Sequence, residues 1–261
     1  MKIVVLIKHV PEPTAQWRFA EDLTVDRSTV EGRLSELDEY AVEQAVRLVE
    51  AGLDAEITLV TVGPAKAVDA VRKALAMGGH AGVHVMDVAL HGSDALSTSL
   101  VLARALERLE FDLVLCGMAS TDAEMSVIPA MVADRLGLAQ VTFAGTLSVD
   151  PSAGTVTISR DGDTATEEVV ADLPAVVSVT DQSGDARYPA FKAIMAAKKK
   201  PVVTWSLADL GIGAHEVGLT ASGTVVKSVR RRPARQGGTV VVDDGDAAVQ
   251  VADFLTTKGF L

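Results

Sequence analysis

The chain has 261 residues, 48% of them apolar, and a formal net charge of −11. So much apolar material supports a sizeable core, whereas the charge argues against nucleic acid or an anionic membrane as the main partner, since both require basic surface. The single cysteine, Cys116, has no partner for an internal disulfide, which fits a reducing compartment and a cytoplasmic location.

The opening MKIVVLI is too short for a signal peptide or a spanning helix, so direct membrane insertion is not expected. Its residues 3–7 form a β-branched and aliphatic run suited to a strand buried on both faces of a parallel sheet. Pro11 and Pro13 end it, because proline cannot donate to a central ladder. Residues 15–34 are polar and mixed and read as a loop with a small hairpin. Ser35 then caps a helix, with Asp38 at its third position; Leu37, Ala41, Ala45, Leu48 and Val49 keep a helical period, and Gly52 ends it. A second strand spans 55–62. Gly63 and Pro64 open a helix to Met77 that stops at Gly78 and Gly79. A third strand covers 83–86, and Ser93 or Asp94 caps a helix reaching Leu109.

The stretch that organises the chain follows. Residues 112–116 are an apolar run of strand length, and Val127, Ile128, Met131, Val132 and Leu136 share a helical stripe. Between them lies a loop of small and polar residues, 117–126. Pro129 places the helix start, since proline is tolerated only in a first turn; Ser126 is therefore the expected N-cap. A strand–loop–helix junction of this kind offers free backbone N–H groups and a positive dipole end to an anion, so it reads as a nucleotide phosphate site.

Four repeats of strand and helix mark a doubly wound, mostly parallel α/β sheet of the Rossmann-like, adenine-nucleotide-binding sort. Ligands of such sheets sit at the carboxyl ends of the strands, where the loops after Ile7, Val62 and Cys116 share one rim. Beyond Leu138 the pattern changes: residues 141–149, 155–160 and 164–170 alternate polar and apolar between turn sequences, so an antiparallel section is attached. Residues 173–180 read as another buried strand and 190–200 as a short helix. A core at 1–200 and an extension at 201–261, packed on that core or on a partner, complete the reading, with a last helix at 246–257. The cluster Arg230, Arg231, Arg232 and Arg235 is either a subunit contact or a solvated turn.

Sharp chemistry is scarce. Cys116 ends an apolar strand with no base nearby, as an inert buried thiol would. His80 and His84 are only loosely spaced for a metal, and no other histidine pair comes nearer. Asp122 and Glu124 form either an acid/base pair or, more blandly, loop caps. No nucleophile elbow, phosphate-binding lysine loop or dinucleotide fingerprint is present, and the 117–126 loop has no basic residue of its own. Lys198, Lys199 and Lys200 suit the carboxyl end of a helix. However, the preceding Arg187, Tyr188, Phe191, Ile194 and Met195 set aromatic and methionine side chains beside them, as a protein-binding patch would.

Several of these residues carry a resemblance. Lys8 before Val10 and Pro11, the run DEYAVEQAVRL from Asp38, Gly63 with Pro64, ALAMG from Ala74, the loop around Asp122, the Arg187–Lys200 stretch and LADLG from Leu207 occur in order. Together they resemble the β (small) subunit of electron-transfer flavoproteins. The resemblance implies a heterodimer whose α subunit holds most of one FAD. That complex carries electrons from flavin dehydrogenases, such as acyl-CoA dehydrogenases, to a quinone oxidoreductase, and the β chain has no turnover of its own. It also implies a structural AMP in the β chain. By position, its site draws on Leu6; on Ser35, Glu36, Leu37 and Asp38; on Val62; and on Gly117, Met118, Ala119, Ser120, Thr121, Asp122, Ala123, Glu124, Met125, Ser126, Val127 and Ile128. Arg187, Tyr188, Phe191, Ile194, Met195, Lys198, Lys199 and Lys200 fall on the partner-docking segment, with Phe191 where an aliphatic anchor is usual. Ser35 stands where asparagine is common. A bifurcating relative with a second FAD in place of AMP, and a stress-type or ATP-hydrolysing α/β protein, are the competing readings.

Overall fold

Runs of valine, isoleucine and leucine at 2–6, 56–62, 81–85, 113–117 and 175–179 build the centre of the molecule. A computed structural model describes residues 1–233 and 237–261; Arg235, the end of the arginine cluster, lies outside them. The chain divides into two compact units, Met1–Lys227 and Ser228–Leu261.

In the first unit, β1 (Lys2–Leu6) is followed by a short antiparallel pair, β2 (His9–Pro11) with β3 (Gly32–Leu34). Then come α1 (Glu36–Glu50), β4 (Glu56–Val62), α2 (Val68–Met77), β5 (Ala81–Val85), α3 (Ala95–Glu107), β6 (Leu113–Gly117) and α4 (Ile128–Leu136). The chain continues through β7 (Ala139–Ala144), β8 (Thr146–Asp150), β9 (Thr155–Asp161), β10 (Thr166–Asp172), β11 (Ala175–Val179), α5 (Phe191–Ala197) and β12 (Val202–Trp205). Seven strands form one sheet in the order β12-β5-β4-β1-β6-β11-β7, and every pairing in it is parallel. The expected doubly wound α/β fold is therefore present.

Because the central strands are covered on both sides, they read as unbroken apolar runs. Ile3, Val5, Ile57, Leu59, Leu113 and Leu115 pack under α1 and α2, while Val4, Val60, Val83, Val114 and Val176 pack under α3 and α4. Asp94 caps α3 by accepting from the Ser97 N–H, and Gly78, at φ +150°, ends α2.

Three details depart from the sequence reading. The alternating run 141–149 is not one antiparallel strand. Phe143 adopts φ +63° and the chain breaks at Gly145, so β7 joins the parallel sheet beside β11 while β8 joins β9 and β10 in a separate antiparallel sheet. Second, the boundary expected at residue 200 falls inside the first unit, because β12 adds an edge strand to β5. Third, the N-cap position of α4 falls to Val127, whose side chain cannot cap, and not to Ser126, which takes the left-handed φ of +55°. Pro129 still sits in the first turn, as the proline argument requires. In the second unit, α6 (Ala247–Thr257) presents Val249, Val251 and Phe254 to solvent. Among the described residues, no helix is long and apolar enough to cross a membrane, and no group of three or more His, Cys, Asp or Glu is placed to hold a metal.

Candidate functional site

Strand order locates the crevice. From β1 the chain winds outward through β4 and β5 on one side and β6 on the other, so the topological switch lies between β1 and β6. Parallel sheets open a ligand crevice at that point, at the strands' carboxyl ends. Leu6, Val62 and Gly117 end β1, β4 and β6 there.

Three segments meet at this crevice through side chains. Ser35 is fully buried at the start of α1, yet it makes no cap for its own helix; its hydroxyl accepts from the Thr121 N–H at 3.4 Å. Asp38, one turn on, accepts from the Lys8 N–H at 2.8 Å. Its carboxyl is pushed up to about 7 by burial, against the pull of the Lys8 and Gly117 backbone N–H groups. Gly117 is required here: a Cβ would come within 2.7 Å of both the Asp38 carboxylate and the Leu37 carbonyl. The end of β6 and the start of α1 are thus in backbone contact.

The 117–128 loop is organised by Asp122, whose side chain is only 4% exposed. Lys8 Nζ donates to Oδ1 at 2.8 Å and Arg27 Nη2 to Oδ2 at 2.6 Å, and Lys8 also reaches the Ser120 hydroxyl. Burial pushes the Asp122 carboxyl up, but these two cations outweigh it and hold it at about 2. Two cations against the one buried carboxylate leave this ion cluster with a net positive charge, although Glu124 on the same loop and the chain as a whole are acidic. Residues 117–126 themselves contain no basic group. Lys8 and Arg27 supply the charge from 114 and 95 residues away in sequence, and only the sheet order brings them in.

Donors remain available in the same place. Arg27 Nη1 and the Thr121 hydroxyl are buried and without hydrogen-bond partners, and no side chain caps α4. The left-handed Glu124 and Ser126 turn the chain into that helix start. A helix N-terminus with uncapped N–H groups attracts an anion. Of the residues expected at a nucleotide site, Ser35, Asp38, Gly117, Ser120, Thr121 and Asp122 are joined into one network. Leu6 lies at the end of β1 and Val62 at the end of β4, Glu36 and Leu37 begin α1, and Met118, Ala119, Ala123, Glu124, Met125, Val127 and Ile128 trace the loop to α4. Cys116 is buried with its thiol pushed up by burial and faces the Val177 carbonyl, as an inert thiol would. His80 Nδ1 accepts from the Ile57 N–H and His84 Nε2 donates to the Gly63 carbonyl, so both rings serve the backbone.

The family model for the electron transfer flavoprotein domain matches residues 22–210. The electron transfer flavoprotein subunit beta of Mycobacterium leprae (strain TN) is 40% identical over 262 aligned positions, covering 98% of both chains. The subunit beta of Megasphaera elsdenii is 30% identical with 95% of both covered, and protein FixA of Rhizobium meliloti (strain 1021) is 34% identical over 90% of this chain and 85% of that one. The chain belongs to the electron transfer flavoprotein β-subunit family.

For a β subunit of this family, a second, different subunit is implied, and the surface next in interest is the exposed segment after β11. Tyr188 is 96% and Phe191 77% exposed, with Ile194 and Met195 also at the surface. Lys198 and Lys199 are exposed beside them at the end of α5. Two residues of the expected docking set differ from the rest. Arg187 donates to Glu43 and Glu50 on α1, and Lys200 donates to the Leu75 and Gly79 carbonyls at the end of α2. Both are occupied within the chain.

Proposed function

We propose that this chain is the β subunit of a heterodimeric electron carrier in the cytoplasm. It passes electrons from flavin dehydrogenases to a quinone oxidoreductase or another acceptor, through an FAD held mainly by the α subunit. The flavin accepts and releases electrons when bound; the β chain completes the complex and presents the docking surface. In the same reading, the crevice between β1 and β6 holds AMP. The observation that carries this is the combination of an uncapped α4 with a net-positive ion cluster: the Thr121 hydroxyl and Arg27 Nη1 are buried without partners, and Lys8 and Arg27 outnumber Asp122. A phosphate satisfies such orphaned donors, and leaving them unsatisfied is costly.

Lys8 and Arg27 have a second role here. Neutralising Asp122 removes the like charge that would otherwise repel a phosphate at the loop, while the buried Asp38 carboxyl, pushed up to about 7, is only half ionised at pH 7 and repels less than a full charge would. The bond from Thr121 N–H to Ser35 then fixes the loop against α1. These are binding and orienting roles, as a carrier subunit requires.

The test is to co-express the chain with its α subunit, purify the complex, denature it, and count flavin by absorbance and nucleotide by mass. One FAD and one AMP per heterodimer are expected. Two flavins and no AMP would instead make it a bifurcating relative, and a complex without nucleotide would overturn the AMP reading. Hydrolysis of added ATP by the chain alone would overturn the carrier reading.

A further inference from the structure

The exposed segment has a simple architecture. Its crown, from Tyr188 to Met195, turns its large side chains to solvent, and its two feet are bound tightly to different helices. At the first foot, Glu43 is buried on α1, its side chain 4% exposed, and both its oxygens face arginines. Oε2 accepts from Arg187 Nε at 2.7 Å and from the Arg187 N–H at 3.2 Å; Oε1 accepts from Arg187 Nη2 at 3.1 Å and Arg47 Nε at 2.8 Å. Arg187 also forks onto Glu50 at 2.6 and 2.8 Å. Arg47 continues to the Ser183 and Asp185 carbonyls, and Gln44 to Ser183 as well. Burial raises the Glu43 carboxyl, but the hydrogen bonds from Arg187 and Arg47 bring it below the usual range, so it stays ionised between them.

At the second foot, Arg72 Nη1 on α2 donates to the Ala197 and Lys200 carbonyls at 2.9 and 2.7 Å. Lys200 Nζ returns to the Leu75 and Gly79 carbonyls at the end of the same helix, and Ala197 is buried in the core. The segment is an arch pinned to α1 on one side and α2 on the other.

We propose that Glu43 and the Arg72–Lys200 pair are positioning residues for docking, holding the crown in the orientation in which it meets an electron-transfer partner. This rests on the docking role given above to the crown. The physical case is one of preorganisation. A seven-residue helix is too short to persist alone, and exposed aromatic side chains bind weakly when the backbone beneath them must be ordered at the moment of contact. Half-exposed ion pairs add little to global stability. However, a buried carboxylate gripping an arginine by both oxygens and by its backbone N–H fixes direction, which a single surface pair does not. The crown's chemistry, an apolar cluster beside Lys192, Lys198 and Lys199 on an otherwise acidic chain, fits an apolar pocket with an acidic rim.

The experiment uses the heterodimer and a substrate-reduced acyl-CoA dehydrogenase as the probe, with Glu43→Gln, Lys200→Met and Phe191→Ala compared side by side. Each foot variant is expected to raise KM for the dehydrogenase about 5- to 10-fold, with kcat within 2-fold and flavin content unchanged. Amide exchange over residues 188–196 should accelerate at least 10-fold, while β4 and β6 stay as protected as before. If Phe191→Ala raises KM but the folded foot variants do not, the positioning proposal fails and the docking reading stands. If Phe191→Ala leaves KM unchanged, the docking reading fails and takes the positioning role with it. Should Glu43→Gln not fold, Lys200→Met reads the same arch from the opposite foot. A fall in kcat and in melting temperature alongside the rise in KM would show a merely structural role and overturn the proposal.

Discussion

Two carboxyl groups at the crevice respond to pH in opposite directions. Asp122 is held at about 2, below its ordinary value of 3.8. Its contribution to stability is therefore present above about pH 4 and lost as pH falls toward 2. At about 1.4 kcal/mol per pKa unit, the shift corresponds to about 2 kcal/mol. Asp38 is pushed up to about 7 from 3.8, so folding takes up a proton between those values. Its effect has the reverse sign: stability is highest below about pH 4 and declines as pH rises to 7, by at most about 1.4 kcal/mol per pH unit. Urea unfolding from pH 3 to 8 checks both. Asp122→Asn should lower stability by about 2 kcal/mol at pH 7 and flatten the acid limb; Asp38→Asn should flatten the limb between 4 and 7. The two are coupled, because the Asp122 charge raises Asp38, so Asp122→Asn should also move the Asp38 limb to lower pH. Parallel profiles for wild type and both variants would refute this account.

At the scale of elements, the crevice depends on how closely β6 can approach α1. Gly117→Ala would drive a Cβ to 2.7 Å from the Leu37 carbonyl, which is backbone and has no rotamer to give. Overpacking of this kind costs about 1–3 kcal/mol. The expected outcome is a lower urea midpoint together with reduced nucleotide per heterodimer, because the loop carrying Thr121 and Asp122 moves with the strand. A variant with wild-type midpoint and nucleotide content would show that the contact is slack.

Much of this scale was legible in the chain. β-branched runs give the buried strands, Asp94 and Gly78 give real helix ends, and Pro129 correctly limits where α4 begins. The misses have physical causes. Alternation through 141–149 is continuous, and only the left-handed Phe143 and the break at Gly145 divide it between two sheets. Ser126 has the chemistry of a cap but not the backbone for one. Lys8 and Arg27 could not be read into the loop by spacing, since sheet order alone brings them to Asp122. Likewise, Arg187 and Lys200 look like free cations in sequence because their partners are on α1 and at the end of α2.

For the whole molecule, the division into two units sets the last prediction. Among the described residues, Ser228–Leu261 contribute one regular element, α6, whose Val249, Val251 and Phe254 are exposed, as are Phe260 and Leu261 beyond it. An eleven-residue helix is marginal in water by itself, and apolar side chains exposed together are stabilised when a surface covers them, by roughly 25 cal/mol per Å². The first unit has its own core on both faces of a seven-stranded sheet, so a chain ending at Lys227 should fold. Its urea midpoint should match that of the full chain, while its yield of complex on co-expression with the α subunit should fall several-fold. That pattern places the tail on the partner chain. A midpoint that drops with truncation would place it on the first unit instead, and equal yields of complex would show that neither surface needs it.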